Sequence, residues 1–323
     1  IDNTSLGQVV AGTIADADQA CAAAQVAFPA WRDLAGSERR KILHKFADLL
    51  VARAEEIALV ESSDCGQPLR FMKQAALRGA ENFRFFADKA AEAKDGLALM
   101  QAEHTNFTVR SPLGPVAVIT PWNTPFMLAT WKIAPALAAG CTIVHKPAEF
   151  SPLSAALLAE ISQQAGIPAG VWNMVNGFGE SVGKRLTEHP AIKAVAFVGE
   201  TVTGSYIMAQ AAPTLKRLHL ELGGKAPVIV FDDADLEAVV NGLRTFGFYN
   251  AGQDCTAACR VYAGPKIYER LAADLSAAVS SIRYNQADDG ANEMGPLIST
   301  RQRNRVASFV DRAAELKHIE VTT

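Results

Sequence analysis

Cys255 lies in the segment Asn250-Ala251-Gly252-Gln253-Asp254-Cys255-Thr256, and 34 positions earlier Glu221 opens Glu221-Leu222-Gly223-Gly224-Lys225. A thiol and a carboxylate, each with glycine nearby, are the residue types for covalent catalysis assisted by a base. The thiolate is the nucleophile, and a free cysteine has a pKa of about 8.5, so its surroundings must favour ionisation. A carboxylate can take a proton from that nucleophile or from an attacking water. Glycine lets the backbone approach a substrate closely. A buried inert cysteine and a surface glutamate would give the same letters, so the pair alone leaves both readings open.

Other motifs precede the cysteine in a fixed order. They are Pro121-Trp122-Asn123, Trp131-Lys132-Ile133-Ala134-Pro135, Lys146-Pro147-Ala148-Glu149 and Phe197-Val198-Gly199-Glu200. With the Glu221 and Cys255 segments they resemble the NAD(P)-dependent aldehyde dehydrogenase superfamily, and the resemblance covers essentially the whole chain. It implies that Cys255 attacks the aldehyde carbon and that Asn123, with the Cys255 backbone N–H, donates to the resulting oxyanion. Glu221 would activate the water that hydrolyses the thioester, which points to a carboxylic acid product. Lys132 resembles a lysine on the family's proton path, with a solvated or ion-paired lysine as the alternative.

For the cofactor, the resemblance implies that Lys146 and Glu149 hold the adenosine ribose. A carboxylate accepts from ribose hydroxyls and repels a 2′-phosphate, so Glu149 favours NAD over NADP. Gly199, Glu200 and Gly204 lie between a strand and a helix, where N–H groups and the helix dipole suit a pyrophosphate. Thr120, Pro121 and Trp122, with Leu222 and Gly223, complete the expected cofactor contacts. Glu200 departs from the family pattern, which usually has a small residue there, because its charge opposes a pyrophosphate unless it turns away or pairs with a cation.

Substrate signals conflict. The stretch from Ile207 to Arg260 is most similar to 4-aminobutyraldehyde dehydrogenases, and Asp254 would suit a substrate ammonium or else cap its own loop. The Asn123 and Lys146 motifs look like those of 5-carboxymethyl-2-hydroxymuconate semialdehyde dehydrogenases, and Arg70 and Lys73 would suit a carboxylate. Trp131, Phe126 and Met127 are expected to line the substrate tunnel, with core packing as the competitor. Aminobutyraldehyde is the first expectation and a semialdehyde the second. A non-catalytic dinucleotide-binding fragment is a third reading from another class.

The 323 residues, 49% apolar and 20% charged with a net charge of −3, suffice for two domains and carry no basic surface for nucleic acid. Apolar runs are too short to cross a bilayer, and no signal-like segment opens the chain. Five scattered cysteines (Cys21, Cys65, Cys141, Cys255, Cys259) suggest a reducing, cytoplasmic setting. Cys255 and Cys259 lack a second pair at zinc-like spacing, so no metal is expected, and Cys259 reads as a small packed residue.

The elements that must position these residues follow from periodicity. Residues 16–34, 41–53 (with Ser37 as a cap) and 72–93 read as helices, with Phe83, Phe85 and Phe86 as core, and 106–109 as a strand. Short apolar strands at 116–120, 142–146, 171–175, 194–198 and 218–220 then alternate with helices at 126–138, 153–165, 179–187 and 202–211. That alternation predicts a Rossmann-like, doubly wound parallel sheet. A second α/β unit follows, with strands at 227–231 and 260–263 and a helix at 267–282. The resemblance assigns residues 1–222 to an NAD-binding domain, helical over residues 1–105 and Rossmann-like over residues 112–222. It assigns residues 223–323 to an incomplete catalytic domain. Superfamily members normally continue well beyond the equivalent of Thr323 and form homodimers or homotetramers.

Overall fold

A computed structural model describes residues 5–92, 98–100, 102–285 and 289–322. Two compact units emerge among the described residues, the larger made of residues 5–64 and 72–222 and the smaller of residues 65–71, 223–285 and 289–322.

The larger unit opens with four helices: α1 (Ile14–Asp33), α2 (Gly36–Ala52), α3 (Ala54–Cys65) and α4 (Leu69–Glu92), the last residue of α3 and the first turn of α4 belonging to the smaller unit. Thr13 and Asp16 close a reciprocal capping box on α1. Ser37 does not cap α2. Glu38 N and Arg39 N both donate to Ala35 O, so the helical ladder starts ahead of the serine. Periodicity does not separate helix α3 from α2, because only Arg53 lies between them and neither Gly nor Pro marks the break. Of the three phenylalanines expected in the core, Phe83 is fully buried, while Phe85 is exposed and stacks edge-on to Phe86.

A short antiparallel pair, β1 (Ala98–Met100) and β2 (Thr105–Phe107), leads to the main sheet. Its strands are β3 (Val116–Ile119), β4 (Ile143–Lys146), β5 (Trp172–Met174), β6 (Ala194–Gly199) and β7 (Arg217–Leu222), parallel throughout in the order β5-β4-β3-β6-β7. Helices α5 (Pro125–Ala138), α6 (Leu153–Ala165), α7 (Lys184–Glu188) and α8 (Thr201–Ala211) make the crossovers. The helix expected over 179–187 begins instead as a π-type turn at Gly179–Gly183.

Strand β3 shows how alternate residues serve two faces. Val116 and Val118 join one core with Trp31, Phe46, Phe83 and Ile133, whereas Ala117 and Ile119 join a second with Cys21, Val195 and Ile207. Burial on both sides explains why the central strands read as continuous apolar runs. The chain builds outward from β3 through β4 to β5 and then returns to place β6 on the other flank. The carboxyl ends of β3 and β6 therefore flank a topological switch point, where ligands of such sheets bind.

The smaller unit pairs β8 (Ala226–Val230) with β9 (Ala258–Ala263) in parallel and packs α9 (Leu236–Phe248) and α10 (Tyr268–Ser280) around Val230, Leu243 and Leu271. It also holds α11 (Thr300–Ala314), capped by Ser299, which periodicity did not reveal.

Candidate active site

At the carboxyl end of β3, Thr120 is buried and its Oγ1 lies 2.9 Å from His145 Nε2 on the neighbouring strand. Burial beside Lys146 pushes the His145 imidazole down to about 3, so the ring is neutral. The half-buried Pro121, Trp122 and Asn123 follow, and Pro125 then starts α5 at a position where a missing N–H costs nothing. Asn123 thus sits in the turn between a buried strand and a buried helix.

Helix α5 carries Phe126, Met127, Trp131 and Lys132. Phe126 is 1% exposed and packs in the main core, while Met127 lies beside the Asn82 amide and the Thr130 hydroxyl. Trp131 is 40% exposed and borders a cleft of about 1250 Å³ that also meets Lys132, His219 and Glu221. Lys132 is buried, with Nζ 3.4 Å from His219 Nδ1 and 3.9 Å from Glu221 Oε2.

Glu221 lies on β7 itself, beyond the expected strand limits of 218–220. Arg217-Leu218-His219-Leu220-Glu221-Leu222 alternates, so Leu218, Leu220 and Leu222 pack against the core while Arg217, His219 and Glu221 border the cleft, which Leu218 also touches. As an edge strand, β7 supports such a polar face. Sequence reasoning missed His219, although this alternation was the signal that could have found it.

The residues along the carboxyl edge also fit a dinucleotide. Lys146 ends β4, is buried, donates to Pro147 O at 2.7 Å and has Nζ 3.8 Å from the half-exposed Glu149 carboxylate. Burial pushes the Lys146 ammonium below the ordinary lysine value, opposed by the carboxylates of Glu149 and Glu180. Donor and acceptor thus stand together, as a ribose diol requires. Gly199 ends β6 and precedes the exposed Glu200, the N-cap of α8, whose side chain makes no capping bond to the helix amides. Gly204 is buried in the first turn, and a Cβ there would lie 2.9 Å from Leu222 Cδ2, so a larger residue would have to displace that side chain. The first three residues of α8 are exposed, and N–H groups at such a helix start suit an anion such as a pyrophosphate.

In the smaller unit, Cys255 is half-buried in the loop between α9 and β9. Buried Asn250 and Gln253 lock this loop, each side-chain amide donating to the other's carbonyl at 3.1 Å. Gln253 Oε1 also accepts from Ile298 N at 3.0 Å, tying the cysteine loop to residues 296–298. Gly224 lies so close that a Cβ would sit 3.1 Å from Cys255 O, and Gly223 beside it is exposed. Asp254 Oδ1 accepts from Thr256 N at 2.7 Å and from its hydroxyl at 2.8 Å, while the Tyr249 hydroxyl donates to Oδ2. These bonds make Asp254 a loop-capping residue. The other charged candidates are also engaged, Arg70 over the Phe71 ring and Lys73 with Glu55. Cys259, expected to be packed, is exposed on β9. Among the described residues, no cluster of His, Cys, Asp and Glu could hold a metal ion, and no helix is long and apolar enough to cross a membrane.

The model of the aldehyde dehydrogenase family matches residues 1–322. The chain is 41% identical to the 2-hydroxymuconic semialdehyde dehydrogenase of Pseudomonas sp. (strain CF600), covering 97% of this chain and 67% of that protein. It is 38% identical to the 5-carboxymethyl-2-hydroxymuconate semialdehyde dehydrogenase of Escherichia coli, covering 94% and 65%. Among solved structures, PnpE in complex with nicotinamide adenine dinucleotide matches with a TM-score of 0.94 at 41% identity, over 98% of this chain and 65% of that one. The chain thus spans about two thirds of the length of these relatives. This chain belongs to the aldehyde dehydrogenase family.

Proposed function

We propose that the chain carries the machinery for NAD-dependent oxidation of an aldehyde to a carboxylic acid, with the covalent chemistry on Cys255. The Cys255 thiolate adds to the aldehyde carbon, and the carbonyl oxygen becomes an oxyanion that the Asn123 amide and the Cys255 N–H stabilise. Donors placed where charge develops contribute about 3 kcal/mol each. Lys146, Glu149 and the first turn of α8 would hold NAD, which would accept the hydride that the former aldehyde carbon must lose for the Cys255 adduct to become a thioester. Glu221 then takes a proton from water, the hydroxide attacks the acyl carbon, and the C–S bond breaks to free the acid and the thiolate. Lys132 Nζ lies 3.9 Å from Glu221 Oε2, beside the carboxylate that would take this proton. The observation that carries this reading is Glu221, placed with buried Lys132 on the wall of one cleft.

For the substrate we favour a semialdehyde bearing a carboxylate over 4-aminobutyraldehyde. Both curated relatives named above act, by name, on semialdehydes. Arg110, Lys89 and Arg217 border the same cleft, and Glu221 is the one carboxylate among its described lining residues. Asp254, the residue that would attract an ammonium, is engaged by Tyr249 and Thr256. Glu149 beside Lys146 supports NAD over NADP.

The test follows NADH absorbance as the purified protein meets NAD with succinate semialdehyde or with 4-aminobutyraldehyde. Faster turnover of the anion supports the semialdehyde reading, and preference for the amine returns Asp254 to the substrate site. NAD binding with no turnover of either aldehyde would favour a dinucleotide-binding role instead.

A further inference from the structure

Helices α1, α9 and α11 begin with side-chain caps of their own, from Thr13, Asp235 and Ser299. Helices α5 and α6 do not, since neither Thr124 nor Pro152 makes a capping bond. Both start in buried surroundings, where an orphan N–H cannot turn to water. Helix α3 meets both. Glu61 Oε1 accepts from Phe126 N at 3.0 Å, and Asp64 Oδ2 accepts from Leu153 N at 2.8 Å. The two acids are three residues apart, hence neighbours on one face of α3. Each captured amide lies just after a loop of the candidate site. Asn123 precedes Phe126 by three residues, and Glu149 precedes Leu153 by four.

We infer that Glu61 and Asp64 are positioning residues, cross-helix caps that fix the loop of Asn123 and the loop of Lys146 and Glu149. The consequence for chemistry rests on the reading of Asn123 as the oxyanion donor. Burial pushes Glu61 up to about 7 and Asp64 up to about 6, so both carboxylates are held where ionisation is opposed. An apolar residue in their place would escape that cost but strand a buried amide.

Hydrogen–deuterium exchange on the ligand-free protein tests the caps without requiring turnover. Glu61→Leu is expected to speed exchange at residues 126–128 by roughly tenfold relative to 153–155, and Asp64→Leu the reverse. Glu61→Gln and Asp64→Asn, which keep an acceptor oxygen, restore protection. Uniform acceleration over both helices, or none at either, overturns the inference. If Glu61→Leu does not fold, the wild-type Phe126 amide proton shift serves. It moves upfield as Glu61 is protonated if the bond is present, and a flat profile overturns it. In the kinetic arm, Glu61→Leu lowers kcat by about tenfold with KM for NAD unchanged. An unchanged kcat beside an impaired Asn123→Ala overturns the positioning role. If Asn123→Ala itself keeps full kcat, the oxyanion reading fails, and the exchange data still judge the caps.

Discussion

At the residue scale, the proposed chemistry divides between a thiol in a loop tied by side-chain bonds and a carboxylate 3.9 Å from a buried lysine. The side-chain bonds between Asn250 and Gln253 leave the cysteine loop little freedom, which suits a nucleophile that must meet a small carbonyl group. Cys255→Ala is expected to abolish aldehyde oxidation while NAD binding, followed by quenching of tryptophan fluorescence, stays near wild type. Turnover surviving in that variant would end the covalent mechanism. Glu221→Gln separates the two halves of the reaction. It should release one equivalent of NADH in a burst and then slow by about 10²–10⁴-fold, because water activation alone is lost. A rapid-mixing trace without the burst would place Glu221 before thioester formation.

At the scale of elements, α3 joins the starts of two crossover helices and carries a titrating load while doing so. Glu61 has a native value of about 7 against an ordinary 4.5, and Asp64 about 6 against 3.8. Native values above unfolded ones mean that the folded state holds more protons in between. Stability therefore falls as pH rises from roughly 4 to 7 and levels off above. Glu61→Gln carries no charge, so its stability relative to wild type should rise by up to roughly 3 kcal/mol across that window. Urea melts at several pH values check this, and parallel profiles for the two proteins would refute it. Strand β7 shows a second principle at this scale. At the sheet edge, its Arg-Leu-His-Leu-Glu-Leu alternation gives one face to the core and one to the cleft.

For the whole molecule, the sheet's two faces bury separate clusters, and the larger one gathers α2 to α6. Phe46 is fully buried there, 4.6 Å from the Phe83 ring centroid and 5.7 Å from that of Trp172. Phe46→Ala is expected to cost about 3–5 kcal/mol, through lost transfer energy and the cavity left behind. The four tryptophans, at positions 31, 122, 131 and 172, all lie in the larger unit, so their fluorescence reads that unit alone. A wild-type urea midpoint in this signal would show that the cluster does not stabilise the larger unit. Two compact units also mean that one melting temperature need not describe the chain.

Local spacing was enough to reveal the alternating strands and helices and the parallel sheet they imply, while the motifs that close β3, β4 and β6 were legible through their family resemblance. Side-chain periods of 2 and 3.6 are properties of short segments, and the central strands are apolar because both their faces are covered. Spacing failed wherever the partner was distant or the signal was a local bond. Glu61 meets Phe126 across 65 residues, and His145 meets Thr120 only because β3 and β4 pair. That Asp254 is held by Tyr249 and Thr256 was likewise not legible, since the letters alone suit a loop cap and a substrate anchor equally. Strand order, the flank taken by β6 and the company of each buried charge come from long-range burial competing with the entropy of loop closure, which no short window of residues contains.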